Sequence, residues 1–301
     1  MPTTPKLSTA LTWLVYLLPV YIFVVSPALR ALFPTNEVSG AFDWPDQDKS
    51  DEYELVPGIN VTDDRFISPE DNPRELQCRE DDYRVHILSR SPLVIYIENF
   101  LSESEADHLT EVSKDRYAPS IVYDGMTERV DPSVRLSDRA LLDRDDVVRC
   151  LEERARAFQG WRPFLYIERM WAQRYNVSGH YRHHYDWTGN GQGADRVSTF
   201  MVYLKADCTG GGTNFPRLRK PLDKKWCRFI ECDAEPQEEG VTFKPIKGNA
   251  IFWENLRADG TGYPETWHAA LPVRSGEKVG LNIWSWYQPP TRKRKSKTKT
   301  V

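Results

Sequence analysis

The chain has 301 residues, 40% hydrophobic and 28% charged, enough to bury one large core with flanking segments. Its formal net charge of -4 excludes a global basic field of the kind that gathers nucleic acid. The five cysteines, Cys78, Cys150, Cys208, Cys227 and Cys232, form no CxxC pair, which excludes zinc-ribbon readings.

From Leu7 to Leu29 no residue is charged and most are large and apolar. At ~1.5 Å per residue this stretch is long enough to cross a ~30 Å hydrocarbon layer, and Pro19 is tolerated in a membrane helix. The expectation is a single transmembrane signal anchor within residues 1–33. A cleaved signal peptide, the alternative, has a shorter apolar core of ~7–15 residues. Lys6 lies before the span and Arg30 partly balances it. The expected orientation puts the N-terminus in the cytosol and the bulk of the chain in the lumen of the endoplasmic reticulum or another secretory compartment.

Residues 34–83 are rich in Asp, Glu, Pro and Asn and read as an acidic stalk. Asn60-Val61-Thr62 is a glycosylation sequon that fits a lumenal location. A second sequon, Asn176-Val177-Ser178, adjoins a histidine cluster where a glycan would obstruct. In an oxidising lumen Cys208, Cys227 and Cys232 can supply one disulfide near one loop, and the odd cysteine count leaves a thiol or an intermolecular bond. The basic segment 289–301 reads as a disordered tail, with polyanion binding or retention as the alternative.

Between these flanks, residues 84–288 carry regular patterns. "PLVIYIENFL" is a strand by its β-branched and aromatic content. Ser102 and Glu105 spell a capping box that opens a first helix. A second helix is expected from Asp143 to Phe158, with Val147, Leu151, Ala155 and Phe158 on one face and Gly160 as its stop. Thereafter the segments "RMWAQRY", "RVSTFMVYL", "VTFKPIKGNAIFWEN", "TWHAALPV" and "KVGLNIWSWY" read as strands separated by Gly, Pro and Asn. The expected fold class is α+β: a double-stranded β-helix or jelly-roll core with supporting N-terminal helices, preceded by the transmembrane helix.

The stretch "HYRHHYDW" holds His180, His183 and His184, three of the six histidines. On a strand, residues two apart share a face, so His184 and Asp186 point the same way and His183 the other. A neutral imidazole beside a carboxylate is two-thirds of the facial triad of non-haem Fe(II), whose third ligand is another histidine. His86 precedes the first strand and His108 lies on the first helix, which leaves His268 as the best third ligand. Lys278, ten residues further on, shares one face with Gly280, Asn282 and Trp284. A lysine facing a barrel interior is costly unless an anion meets it, although a strand-end lysine can also snorkel to water.

Taken together, these residues resemble the Fe(II)/2-oxoglutarate-dependent dioxygenases of the prolyl 4-hydroxylase alpha-subunit type. Tyr175, "RVSTFMVYL", "GGGTNFP", "KGNAIFWEN" and "HAALPV" follow in the family's order, so the resemblance covers 84–288. It implies that His184, Asp186 and His268 hold Fe(2+) and form the catalytic centre, and that Lys278, Tyr175 and Thr213 hold the cosubstrate 2-oxoglutarate. It also implies O2 as oxidant, L-ascorbate as a cofactor, and a peptidyl-proline substrate, with Arg196 and Trp284 as candidate contacts; Tyr181 is a further candidate for the substrate wall. The implied reaction couples decarboxylation of 2-oxoglutarate to hydroxylation of a C–H bond. His180 and His183 fall outside the family's ligand positions. The turn from Arg217 to Gly240 is longer than in compact members, and the separate peptide-binding region of the collagen-modifying enzymes is not matched, so collagen specificity is not implied. The alternatives are the same chemistry on another amino-acid residue or a small molecule, and an inactive membrane-tethered binding module.

Overall fold

The computed structural model describes residues 54–71, 76–123, 127–189, 193–233 and 238–291. The expected anchor over 1–33, the first part of the stalk and nearly all of the basic tail lie outside them. Among the described residues no helix is long and apolar enough to cross a membrane.

The chain begins its regular structure with β1 (Arg84–Arg90) and β2 (Leu93–Glu98), followed by α1 (Glu103–Ser113). Short strands β3 (Ala118–Pro119), β4 (Val122–Tyr123), β5 (Glu128–Arg129), β6 (Arg135–Leu136) and β7 (Asp138–Leu141) lead to α2 (Asp146–Phe158). The remainder is extended: β8 (Leu165–Ile167), β9 (Trp171–Tyr175), β10 (His180–His184), β11 (Asp195–Gly210) and β12 (Thr213–Phe215). Then come β13 (Val241–Phe243), β14 (Ala250–Glu254), β15 (His268–Ala270) and β16 (Val273–Tyr287).

The strands form a nine-stranded sheet in the order β1-β2-β14-β11-β16-β9-β7-β3, with β8 beside β16, and a five-stranded sheet in the order β13-β12-β15-β10-β6. Tyr96, Met201, Tyr203 and Trp253 of the large sheet pack against Phe215, Val241 and Phe243 of the small one, so the two sheets face each other across an apolar interior. This β-rich core is consistent with the expected jelly roll. The opposite face of the large sheet, through Ile95, Phe200, Val202, Leu281 and Ile283, packs against Leu109 of α1 and Val148, Leu151 and Ala155 of α2. Alternation along β11 and β16 thus assigns each side chain to the interior or to the helices.

The first helix starts as its sequence predicts. The Ser102 hydroxyl accepts from the Glu105 N–H while the Glu105 carboxylate accepts from the Ser102 N–H, a complete capping box. α2 begins at Asp146, three residues later than expected, because Asp145 is the residue whose carboxylate caps Val148. Gly160 follows the helix with φ +71, the left-handed turn that ends it. The apolar stripe does not account for Arg154, which is buried and held by Glu105, Asp81 and the Phe100 carbonyl. It ties α2 to the start of α1.

The described part of the expected stalk is folded onto the domain, which departs from a free linker. Val56 and Pro289 share a backbone hydrogen bond, Ile67 bridges to Glu168, and Asp71 forms ion pairs with Arg144 and Arg149 of the α2 region. Ile67 is buried beside Ala194 and Trp286, with Val56, Ile59 and Val61 packed around them. Acidic composition hid these few spaced apolar anchors. The cysteines also pair beyond expectation: Cys227 with Cys232 inside the long turn, Cys78 with Cys150 of α2, and Cys208 free.

Candidate active site

His184 ends β10 and stands directly opposite His268 of β15 in the antiparallel register. Cross-strand neighbours of this kind touch, and the two rings lie 4.3 Å apart. Asp186 lies in the bend that follows β10, so strand alternation is not what turns it inward. The Asp186 carboxylate comes to 3.7 Å from His184 Nε2 through Oδ1 and 3.9 Å from His268 Nε2 through Oδ2. Ligand atoms of the three residues all lie within 4.8 Å of one another, inside the reach of one ion.

The imidazoles are oriented from behind. His184 Nδ1 lies 2.8 Å from the Arg182 carbonyl and His268 Nδ1 2.9 Å from the Thr266 carbonyl. A carbonyl only accepts, so each Nδ1 carries a proton and each Nε2 is turned to the Asp186 side. Burial pushes His184 down to about 3, with nearby His268 adding to the effect, which keeps the ring neutral as a metal ligand must be. Burial opposes the charge on Asp186, yet its carboxyl is held below its usual range, with the Arg196 guanidinium and the Thr199 hydroxyl among the groups that favour the charged form. Two neutral imidazoles and one carboxylate fit a ferrous ion with open positions.

Lys278 is fully buried on β16, opposite Tyr175 of β9 and Ala206 of β11. Its ammonium donates to the Gly211 carbonyl at 2.6 Å and sits 4.6 Å from the centre of the Tyr175 ring. Among the described residues no carboxylate pairs with it, and burial pushes it down to about 8. Tyr175 donates its hydroxyl to Gln173 Oε1 at 3.1 Å. Thr213 is buried with its hydroxyl 2.8 Å from that of Tyr203.

The remaining expected residues surround the cluster. Tyr181 stacks on His184 with ring centroids 3.7 Å apart, and the Arg135 guanidinium lies 4.5 Å from the Tyr181 ring. Arg196 is gripped by both oxygens of Glu168 at 2.6 and 2.8 Å and lies 3.8 Å over the Trp284 ring. His180 and His183 lie outside the cluster, bonded to the Ser178 carbonyl and to Asn214. Sequence reasoning missed Arg135, Gln173, Glu168 and Thr199. Of these only Thr199 left a signal, as an inward-facing polar residue within "RVSTFMVYL".

The paired sheets, the converging imidazoles and carboxylate, and the buried lysine together define a jelly-roll oxygenase site. Residues 170–286 match the 2OG-Fe(II) oxygenase superfamily. The chain is 30% identical to "Prolyl 4-hydroxylase 5" of Arabidopsis thaliana over 209 residues, 66% of this chain and 70% of that protein. It is 29% identical to "Probable prolyl 4-hydroxylase 7" of the same plant over 247 residues, 76% of this chain and 77% of the relative. A viral collagen prolyl hydroxylase of Paramecium bursaria Chlorella virus-1, solved as a 2OG complex, aligns at 27% identity with a TM-score of 0.49, covering 64% of this chain and 96% of that one. This chain belongs to the prolyl 4-hydroxylase-like 2OG-Fe(II) oxygenases and is a 2-oxoglutarate-dependent dioxygenase. The family implies Fe(2+), 2-oxoglutarate and O2.

Proposed function

We propose that this dioxygenase hydroxylates prolyl residues of a peptide or protein substrate. The observation that carries the reading is the convergence of His184, Asp186 and His268 within 4.8 Å, with a buried Lys278 left for an anion. In this reading the two Nε2 atoms and the Asp186 carboxylate hold Fe(2+), which when bound supplies the activation of dioxygen coupled to decarboxylation of 2-oxoglutarate.

The chain's own residues do the placing. Lys278 offers its ammonium to the far carboxylate of 2-oxoglutarate, and Tyr175 and Thr213 offer hydroxyls that rotate from their present partners. The apolar interior around Lys278 strengthens that charge pairing and excludes water. Arg196, held rigid by Glu168, and Trp284 line the approach on the substrate side, together with Tyr181 stacked on His184. The buried Trp284 indole N–H has no hydrogen-bond partner among the described residues. L-ascorbate belongs to the reading as the reductant that keeps the iron ferrous.

The same proposal places the enzyme on a secretory-pathway membrane, catalytic domain lumenal. Its supports are the apolar span from Leu7 to Leu29, the exposed Asn60 sequon, and the Cys78–Cys150 and Cys227–Cys232 disulfides, which persist in oxidising compartments.

The test is succinate release from 2-oxoglutarate by the full chain with Fe(II), with and without proline-containing peptides. Stimulation by proline peptides, with hydroxyproline in the product, is expected. Turnover indifferent to every proline peptide would assign the chemistry to another substrate.

A further inference from the structure

We propose that residues 54–68 form the end wall of the substrate groove and limit how far a peptide extends past the reactive centre on that side. The inference rests on the peptidyl-proline reading above and adds to it the shape of substrate the groove accepts.

Alternation on β16 puts Trp286 on the same interior face as Trp284, Asn282 and Lys278. Trp284 lies under Arg196, whose Nη1 is 3.4 Å from the Asp186 carbonyl, so this stretch of the face adjoins the histidine cluster. Two residues further along β16 the face is closed. Trp286 is only 7% exposed, covered by Ile67 and Ala194 with Val56, Ile59 and Val61 around them.

The cover is built in. The Trp286 indole N–H donates to Gln288 Oε1 at 2.8 Å, and the Gln288 amide donates to the Val56 carbonyl at 3.0 Å. Gly58 lies so close that a Cβ there would meet Gln288 Oε1 at 2.5 Å. On the other flank Ile67 bridges to Glu168, the residue that grips Arg196, while the Ser68 and Arg169 N–H groups bond to the Ile167 and Phe66 carbonyls. The segment is therefore fastened to the same strand end that presents Glu168 to the groove.

The reach follows from strand geometry. Trp284 and Trp286 are two residues apart, ~7 Å, and an extended peptide advances about as far in two residues. A substrate crossing the Arg196–Trp284 stack in this direction meets the wall within about two to four residues. The favoured substrates have their proline near a chain end, or in a loop that turns away there.

The experiment uses the full chain and a nested set of single-proline peptides, lengthened one residue at a time on the N-terminal or the C-terminal side. Extension on one side is expected to raise kcat/KM by at least about threefold through added contacts. On the other side the gain stops or reverses after about two to four residues. Equal gains on both sides in the unaltered protein overturn the proposal. Val56→Ala with Ile67→Ala, and separately Gly58→Val, loosen the wall and are expected to restore the gain on the blocked side. A folded variant that keeps the asymmetry counts against this segment as its cause. If no proline peptide of any length is turned over, the substrate reading falls and this inference with it, a result distinct from turnover that ignores length.

Discussion

Thr199 donates its hydroxyl to Asp186 Oδ2 across 2.8 Å, from the next strand of the barrel interior. Thr199 in turn accepts from the Asn255 amide at 3.0 Å, and Asn255 Oδ1 accepts from the Trp253 indole at 2.8 Å. Thr199, Asn255 and Trp253 are all buried. The carboxylate lies in a bend after β10, and this chain anchors it to the large sheet.

Thr199→Val removes the hydroxyl and leaves a buried carboxylate oxygen short of a donor. Metal affinity is expected to fall roughly 10- to 100-fold, read by Co(II) absorption titration without any turnover. Thr199→Ser keeps the donor and is expected to bind as the native chain does. Equal affinity in the valine variant would show that Asp186 does not depend on this bond.

Lys278→Ala removes the one cation assigned to 2-oxoglutarate. A charge-assisted bond contributes about 1.5–3 kcal/mol, so the Kd for 2-oxoglutarate should rise roughly 10- to 150-fold. The metal titration should be unchanged, because Lys278 is not among the three clustered ligands. A Kd equal to that of the native chain would remove Lys278 from the cosubstrate site.

The same lysine sets a pH dependence. Burial lowers it to about 8 in the free protein, and an anionic partner raises it again on binding. Below that value the ammonium is already charged and the Kd for 2-oxoglutarate is flat. Above it binding must take up a proton, and the Kd rises toward about tenfold per pH unit. Calorimetry from pH 6 to 10 should show the rise in the native chain and not in Lys278→Ala.

Cys150→Ser breaks the bond to Cys78, which spans 72 residues and fastens the approach to β1 onto α2. A closed loop of that length contributes about 2–5 kcal/mol, so thermal unfolding should move down by several degrees. The histidine cluster lies on other strands, and its metal affinity at low temperature should persist. An unshifted melting curve would show that the crosslink does not constrain the unfolded chain.

Much of the site was legible in the sequence because its chemistry needs particular residue types at local spacings. His184 and Asp186, and His268 and Lys278, sit close together along the chain, and so do the residues of the capping box at Ser102. Even so, alternation alone did not place Asp186, which lies past the strand end. The packing of the described part of the stalk was hidden for a related reason: Val56, Ile59 and Ile67 are too few and too scattered among acidic residues to show a period, yet they pack against the domain.

By itself the sequence picked out His184, Asp186, His268 and Lys278, the strand-rich order and the capping box that opens the first helix, since each is written in short-range pattern or chemistry. Only the tertiary structure decided that His184 faces His268, that Glu168 holds Arg196, that Thr199 bonds to Asp186, and that Val56 and Ile67 pack over Trp286. These are contacts between residues far apart along the chain. They arise from sheet register and packing, which leave no periodic mark on either partner.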